Sequence, residues 1–255
     1  MTSQAGRPQL PPAYRLVSLD RVDSTNDEAH RLAEAGAADG TLVWAQEQMS
    51  GRGRRGRAWH SPRGNLYCSL VLRPDAGPAQ AAQLSFVACL GVGEAVGSLL
   101  PPPALLRYKW PNDVLLDDRK ISGILLEAKS APGAARVDYV VLGVGVNVTS
   151  HPEDAETPAT DLAARGATAA VAQVLSAFAG HFAAWAARWT REGFAPVRQA
   201  WLARARGVGE PIRVRLEGST LEGRFATLDD SGALVLDLAG GGRRRIAAGD
   251  VFFAS

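Results

Sequence analysis

Residues Gly51 to Leu72 constrain this chain more than any other stretch. Four arginines fall within six positions (Arg52, Arg54, Arg55, Arg57), interleaved with Gly51, Gly53 and Gly56. Guanidinium groups held a few ångströms apart repel one another, so such a run calls for a shared anion. The glycines free the backbone for φ > 0 and for close approach of N–H groups to a ligand. A mobile loop that becomes ordered around phosphate or carboxylate fits this composition. Beyond Trp59 and Ser61-Pro62-Arg63-Gly64, the alternation from Asn65 to Leu72 predicts a strand. Thr41 to Gln46 predicts another on the near side, so the loop is suspended between two strands.

Three readings compete for the loop. Gly51-x-Gly53-x-x-Gly56 formally matches a dinucleotide fingerprint, but that motif must end a strand and open a helix. The residues after Gly56 include Pro62 and Gly64 and show no apolar helical period, which argues against it. A basic patch for nucleic acid is the second reading. A plain solvated loop is the third, and it has no use for three glycines so closely spaced.

The rest of the chain supports a full core. At 255 residues and 46% hydrophobic, it can bury one and still carry a small second domain. The net charge is only +2, so anion binding must be local. Cys68 and Cys89 lie in apolar runs and read as buried thiols in a reducing compartment. Met1 to Pro12 lacks the apolar core of a signal peptide, and no apolar run approaches a membrane span. A cytoplasmic protein without membrane contact is expected.

The predicted architecture is α+β: a flexible tail over 1–13, a mixed-sheet domain with packed helices over 14–206, and a small β domain over 207–255. Asp23-Ser24-Thr25-Asn26-Asp27-Glu28 starts a helix with Ser24 as its cap, and capping alone is a sufficient reason for those residues. Leu84 to Leu99 and Val171 to Trp189 carry helical apolar spacing, with a shorter helix around Val197 to Ala205. Strands are expected at Tyr14–Leu19, Leu105–Lys109, Val114–Leu116, Lys120–Ala128 and Val137–Val148. After Gly207, four short alternating stretches separated by Asp229-Asp230-Ser231-Gly232 and Gly240-Gly241-Gly242 predict a β-meander docked on the larger domain.

Several chemistries are eliminated. The four histidines and two cysteines lack metal-ligand spacing, and there is neither a Gly-x-Ser-x-Gly elbow nor a Walker A sequence. Polar residues in or beside apolar strands remain: Lys109, Asn112, Asp113, Lys120 and Asn147. A lysine opening a strand, as Lys120 does, is commonly a snorkelling edge residue. The tight hairpin that returns it toward Asn112 and Asp113 favours a functional role.

Taken together, Gly51-Arg-Gly-Arg-Arg-Gly-Arg-x-Trp-x-Ser-Pro, Lys109-Trp-Pro-Asn-Asp, Arg119-Lys-Ile-Ser-Gly-Ile and Gly143-x-Gly-x-Asn147 resemble biotin protein ligases, in that family's order. Asp23-Ser-Thr-Asn and the final meander match as well, so the resemblance runs from about residue 14 to the C-terminus. It implies a biotin/lipoate-ligase-type domain with an SH3-like C-terminal barrel. It also implies a reaction in which ATP with Mg²⁺ adenylates the biotin carboxylate, followed by transfer to one lysine of a biotin carboxyl carrier protein. No tightly bound prosthetic group is implied, and no metal ligands are assigned. Arg54, Lys120 and Asp113 are the implied catalytic residues. Ser24, Thr25, Asn26, Gln48, Gly51, Arg52, Gly53, Trp59 and Gly123 would contact biotin. Arg54, Arg55, Trp110, Asn112, Lys120 and Asn147 would contact the nucleotide.

Two departures from the family pattern bear on function. Thr149 to Gly166 holds no Trp, Tyr or Phe, so an adenine cover must come from elsewhere. Only about a dozen residues precede the first strand, too few for the helix-turn-helix domain of the repressor members, so no DNA binding is expected. A homodimer is left open. The alternatives are a lipoate or octanoate ligase of the same chemistry, and a nucleic-acid binder using the arginines and the barrel. The latter is weakened because Phe225, Phe252 and Phe253 are the barrel's only aromatics.

Overall fold

The computed structural model describes residues 6–253. Its elements begin with β1 (Arg15–Val22), α1 (Thr25–Glu34), β2 (Thr41–Gln48), β3 (Leu66–Leu72), α2 (Pro78–Ala81) and α3 (Leu84–Leu99). Next come β4 (Leu106–Lys109), β5 (Asp113–Leu116), β6 (Arg119–Lys129), β7 (Tyr139–Val146), α4 (Val171–Glu192) and α5 (Phe194–Leu202). The chain ends in β8 (Pro211–Arg215), β9 (Thr220–Leu228), β10 (Leu234–Leu238), β11 (Arg243–Ile246) and β12 (Asp250–Phe253). Seven strands form one sheet in the order β1-β2-β3-β7-β6-β5-β4, and five form a second in the order β11-β10-β9-β8-β12. Helix α1 crosses between β1 and β2, which are therefore parallel; β3 to β7 join by antiparallel pairing. This is the expected α+β arrangement with a small antiparallel β unit. Strand β12 escaped the sequence reading because four residues after Gly249 are too few to establish an alternation.

One apolar core runs through both sheets. Helix α3 is buried on nearly every side, between the large sheet and α4. The helical segment Pro78–Leu99 is in fact long and apolar enough to cross a membrane, against the expectation that no run approaches that length. Its most apolar window is 67% buried inside the protein, as befits a central core helix. Ile212, Val214, Phe225 and Leu234 of the small unit join the same cluster as Phe86, Trp110 and Trp201. Trp110 is 2% exposed and donates from Nε1 to the Gly232 carbonyl at 3.0 Å, pinning the β4–β5 turn to the β9–β10 turn. A five-stranded unit of this size gains its stability from that shared core.

The expected free tail needs correction over part of its length. Residues 1–5 lie outside the described residues. From Pro8 onward the segment is packed: Pro8 is buried, the Gln9 N–H donates to Ser176 Oγ at 2.8 Å, and Leu10 rests on the core. Both cysteines are free and buried as expected; burial alone pushes the Cys68 thiol up to about 12, and burial, as the largest cause, raises Cys89 further still.

Candidate active site

A cavity of about 380 Å³ opens between the α1 end of the large sheet, the arginine loop and the edge strand β12. Its first end is polar and tightly built. Ser24 is the N-cap of α1, its Oγ accepting the Asp27 N–H at 3.4 Å, and it is 2% exposed while lining the cavity. Capping and lining are thus one placement. Thr25 donates from N–H and Oγ1 to Gln48 Oε1 at 2.8 and 3.0 Å, and Gln48 Nε2 donates to Ser61 Oγ at 3.0 Å. Asn26 donates from Nδ2 to Glu127 at 2.7 Å and accepts from Ser69 Oγ at 2.6 Å.

Glycines of β6 and β7 form the floor. A Cβ on Gly143 would land on Asn26 Oδ1, and one on Gly145 would sit 2.6 Å from the Trp59 ring. The Trp59 indole therefore lies where side chains would otherwise stand, with Lys120 Nζ 5.4 Å from its ring centroid. Its buried Nε1 has no hydrogen-bond partner among the described residues.

Cations gather in the middle. Lys120 Nζ is 2.6 Å from Asp113 Oδ1, a contact made by the β5–β6 hairpin. Arg54 Nη1 donates to Asn112 Oδ1 and to the Gly249 carbonyl, both at 3.3 Å. Burial pulls the Arg54 guanidinium and the Lys109 ammonium below their ordinary values, so both are held at a cost in solvation. At the far end Phe252 of β12 reaches the cavity, with Lys109 Nζ 5.6 Å and the Arg215 guanidinium 4.7 Å from its ring.

The anion demanded by the arginine run is supplied by the protein itself. Asp250, at the start of β12, lies 3.8 Å from Arg54, 3.1 Å from Arg55, 2.7 Å from Arg57 and 3.4 Å from Arg215. Burial opposes its ionisation, but Arg57, Arg55 and Arg54 outweigh it and hold the carboxyl below the ordinary range. The loop takes a single 3₁₀ turn at Arg54–Gly56, with Arg55 left-handed at φ 56°. At the loop's other end, Arg52 lies 2.5 Å from Asp27 and 3.2 Å from Glu127. The His30 hydrogen bond, opposed by burial and joined by Asn26 and Arg52, holds Glu127 down at about 2.

Most of the residues expected from sequence meet here: Ser24, Thr25, Asn26, Gln48, Arg52, Gly53, Arg54, Trp59, Asn112, Asp113, Lys120, Gly123 and Asn147 all border the cavity. Four differ from expectation in what they do. Gly51 and Arg55 are not on the wall: Gly51 is packed against Ser61 and Gln48, and Arg55 turns to Asp250. Trp110 also borders the cavity, but its ring Nε1 serves the junction between the sheets. Asn147 is committed to the protein, donating from Nδ2 to the Thr160 carbonyl at 3.0 Å while its N–H donates to Ile121. Asp250, Glu127 and Phe252 were missed: Asp250 and Phe252 fall in a four-residue edge strand too short for a pattern, and Glu127 is one polar position in the long interior strand β6, while Arg57 was read only as one of the loop arginines. The surplus of arginines in the loop was the one available signal that carboxylates lay elsewhere.

Residues 10–203 match the biotin/lipoate A/B protein ligase family, and residues 207–254 match the biotin protein ligase C terminal domain. A biotin–[acetyl-CoA-carboxylase] ligase of Paracoccus denitrificans is 46% identical over 92% of this chain and 99% of its own length. One of Mycobacterium tuberculosis is 36% identical over 91% of this chain and 86% of its own. The biotin protein ligase of Aquifex aeolicus, solved with biotin and ATP, superposes with a TM-score of 0.79 at 29% identity, covering 93% of this chain and 97% of that one. From residue 10 to residue 254, in both its mixed sheet and its terminal β unit, this chain belongs to the biotin protein ligases of the biotin/lipoate A/B protein ligase family.

Proposed function

We propose that this protein is an ATP-dependent ligase that activates biotin as biotinyl-5′-adenylate and transfers it to a lysine of a biotin carboxyl carrier protein. The observation that carries the reading is the position of Arg54 and Lys120 between a polar end, whose one lining cation Arg52 is already paired with Asp27 and Glu127, and a cationic, aromatic-walled end of one cavity. Attack of a carboxylate on an α-phosphate brings two anions together, and desolvated cations are what such an encounter requires. Ser24, Thr25, Asn26 and Gln48 offer the donors and acceptors that a ureido ring needs, over a glycine floor that admits an apolar ring and chain. Arg54 and Lys120 meet the carboxylate and α-phosphate; the oxygen–phosphorus bond forms as pyrophosphate leaves. Phe252 supports an aromatic wall for adenine, where the 149–166 loop has none.

Mg²⁺ enters this reading as part of the nucleotide substrate. Among the described residues no group of three or more His, Cys, Asp or Glu is gathered as a metal site, so the ion's ligands would come largely from the phosphates. In the second half-reaction the lysine amine attacks the acyl carbonyl and AMP leaves. Asp113 is placed to accept the amine proton or orient it, once the nucleotide's charge competes for Lys120.

Biotin-dependent exchange of pyrophosphate into ATP tests the reading, run beside lipoate and octanoate. Exchange with biotin alone is expected; exchange with lipoate in its place would move the assignment to the sister chemistry. A nucleic-acid role is disfavoured because Phe225 is fully buried, which leaves the small sheet short of aromatic faces for base stacking. The floor gives a second test. Gly143→Ala forces Asn26 out of place, so KM for biotin should rise about tenfold, as for loss of a hydrogen bond to a buried polar group, with kcat for exchange much less affected. An unchanged KM would remove Asn26 from the biotin site.

A further inference from the structure

The arginine loop is tied down at both ends by carboxylates, and the two ties face different chemistry. Asp250 meets Arg54, Arg55 and Arg57 where phosphates are to be bound. Arg52 stands at the opposite end, where the proposed ligand group, a ureido ring, carries no charge. A guanidinium there has no ligand anion to neutralise. Its charge is matched within the protein: Nη1 donates to Asp27 Oδ2 at 2.5 Å, and Nη2 donates to Glu127 Oε1 and Oε2 at 3.3 and 3.2 Å. Asp27 belongs to the first turn of α1 and Glu127 to β6, so one side chain from the loop bridges two elements of the rigid scaffold.

Glu127 is also the hub of this end. It accepts from Asn26 Nδ2 at 2.7 Å, and His30 Nε2 stands 3.5 Å away. The same carboxylate thus fixes a cavity-floor residue and the side chain that closes over it. Neither Asp27 nor Glu127 lines the cavity. Charge-assisted hydrogen bonds of this kind, two carboxylates on one fork, hold a loop without touching what lies beneath.

We propose that Asp27 and Glu127 form a catch for Arg52 that keeps the arginine loop closed over the bound acyl-adenylate, making them positioning residues that set how long the intermediate is retained. The inference rests on the ligase reading for the identity of the intermediate, but the catch itself can be tested without it. In the ligand-free full-length protein, trypsin should cleave between Arg52 and Arg57 about tenfold faster in Asp27→Asn/Glu127→Gln than in the wild type, the factor corresponding to loss of a charged hydrogen bond. The melting temperature should fall only slightly, too little to account for the faster cleavage. Equal cleavage, or faster cleavage matched by a general loss of melting temperature, would overturn the catch.

The second measurement uses enzyme loaded with biotin and Mg·ATP and freed of excess by rapid gel filtration. Release of radiolabelled acyl-adenylate should be about tenfold faster in Glu127→Gln, and KM for biotin should rise, with saturating pyrophosphate exchange unchanged. A cycle with Arg52→Ala separates positioning from bulk structure: Glu127→Gln should add nothing to release once Arg52 is gone. Additive effects would overturn the proposal. A wild-type protein that forms no adenylate would instead sink the ligase reading, and the trypsin result would still decide the catch.

Discussion

Arg54→Ala and Lys120→Ala are each expected to slow adenylate formation by roughly 10²–10³-fold, the usual loss for one donor aimed at developing charge, on the order of 2.7–4 kcal/mol. In the proposed reaction both cations stand where the carboxylate and α-phosphate would meet, and both are largely withdrawn from water: their side chains are 22% and 24% exposed. Burial already pulls Arg54 below its ordinary value, so its charge is poorly screened and acts strongly on an anion beside it. The two variants should differ in their side effects. Loss of Arg54 also frees Asn112 and the Gly249 carbonyl, loosening the loop from the small sheet. Loss of Lys120 leaves Asp113 without its partner at 2.6 Å. Pyrophosphate exchange at saturating biotin is the measurement. Normal exchange in both variants would remove these residues from the chemistry.

Asp113→Asn should divide the two half-reactions. Acyl transfer to the carrier lysine is expected to fall about 10²–10⁴-fold, the range for a lost general base. Adenylation should lose less, though not nothing, because the Asp113–Lys120 pair orients the lysine before substrates arrive. Asn at 113 keeps the shape and one acceptor, so Lys120 retains a hydrogen bond while the base is gone. Single-turnover transfer from preformed adenylate, set beside pyrophosphate exchange, resolves the two steps. Equal losses would make Asp113 only the orienting partner of Lys120.

Much of this was legible in the order of the residues. Alternation and helical spacing located α1, α3, α4 and most strands to within a few residues, because each buries one face against a neighbour whatever the global topology. The Arg-Gly loop, Lys109-Trp-Pro-Asn-Asp and Arg119-Lys-Ile-Ser-Gly carried the resemblance to the family. Hairpin closure between β5 and β6 correctly foretold that Lys120 and Asp113 would meet, since a short turn leaves little choice of register.

The counter-charges of the loop became visible only in the folded chain. Asp250 lies 193 residues beyond Arg57, on a four-residue strand with no pattern of its own, and reaches the loop because the two sheets share one core. Glu127 reads in sequence as one more polar position in a strand; only the crossing of α1, β6 and the loop makes it the partner of Arg52, Asn26 and His30. Asn147 and Trp110, which the motifs placed on the nucleotide, border the cavity and at the same time hold backbone and join the sheets. Burial and pairing are properties of several segments at once. Local periodicity reports which face of an element is covered, whereas the identity of a distant counter-charge depends on topology alone.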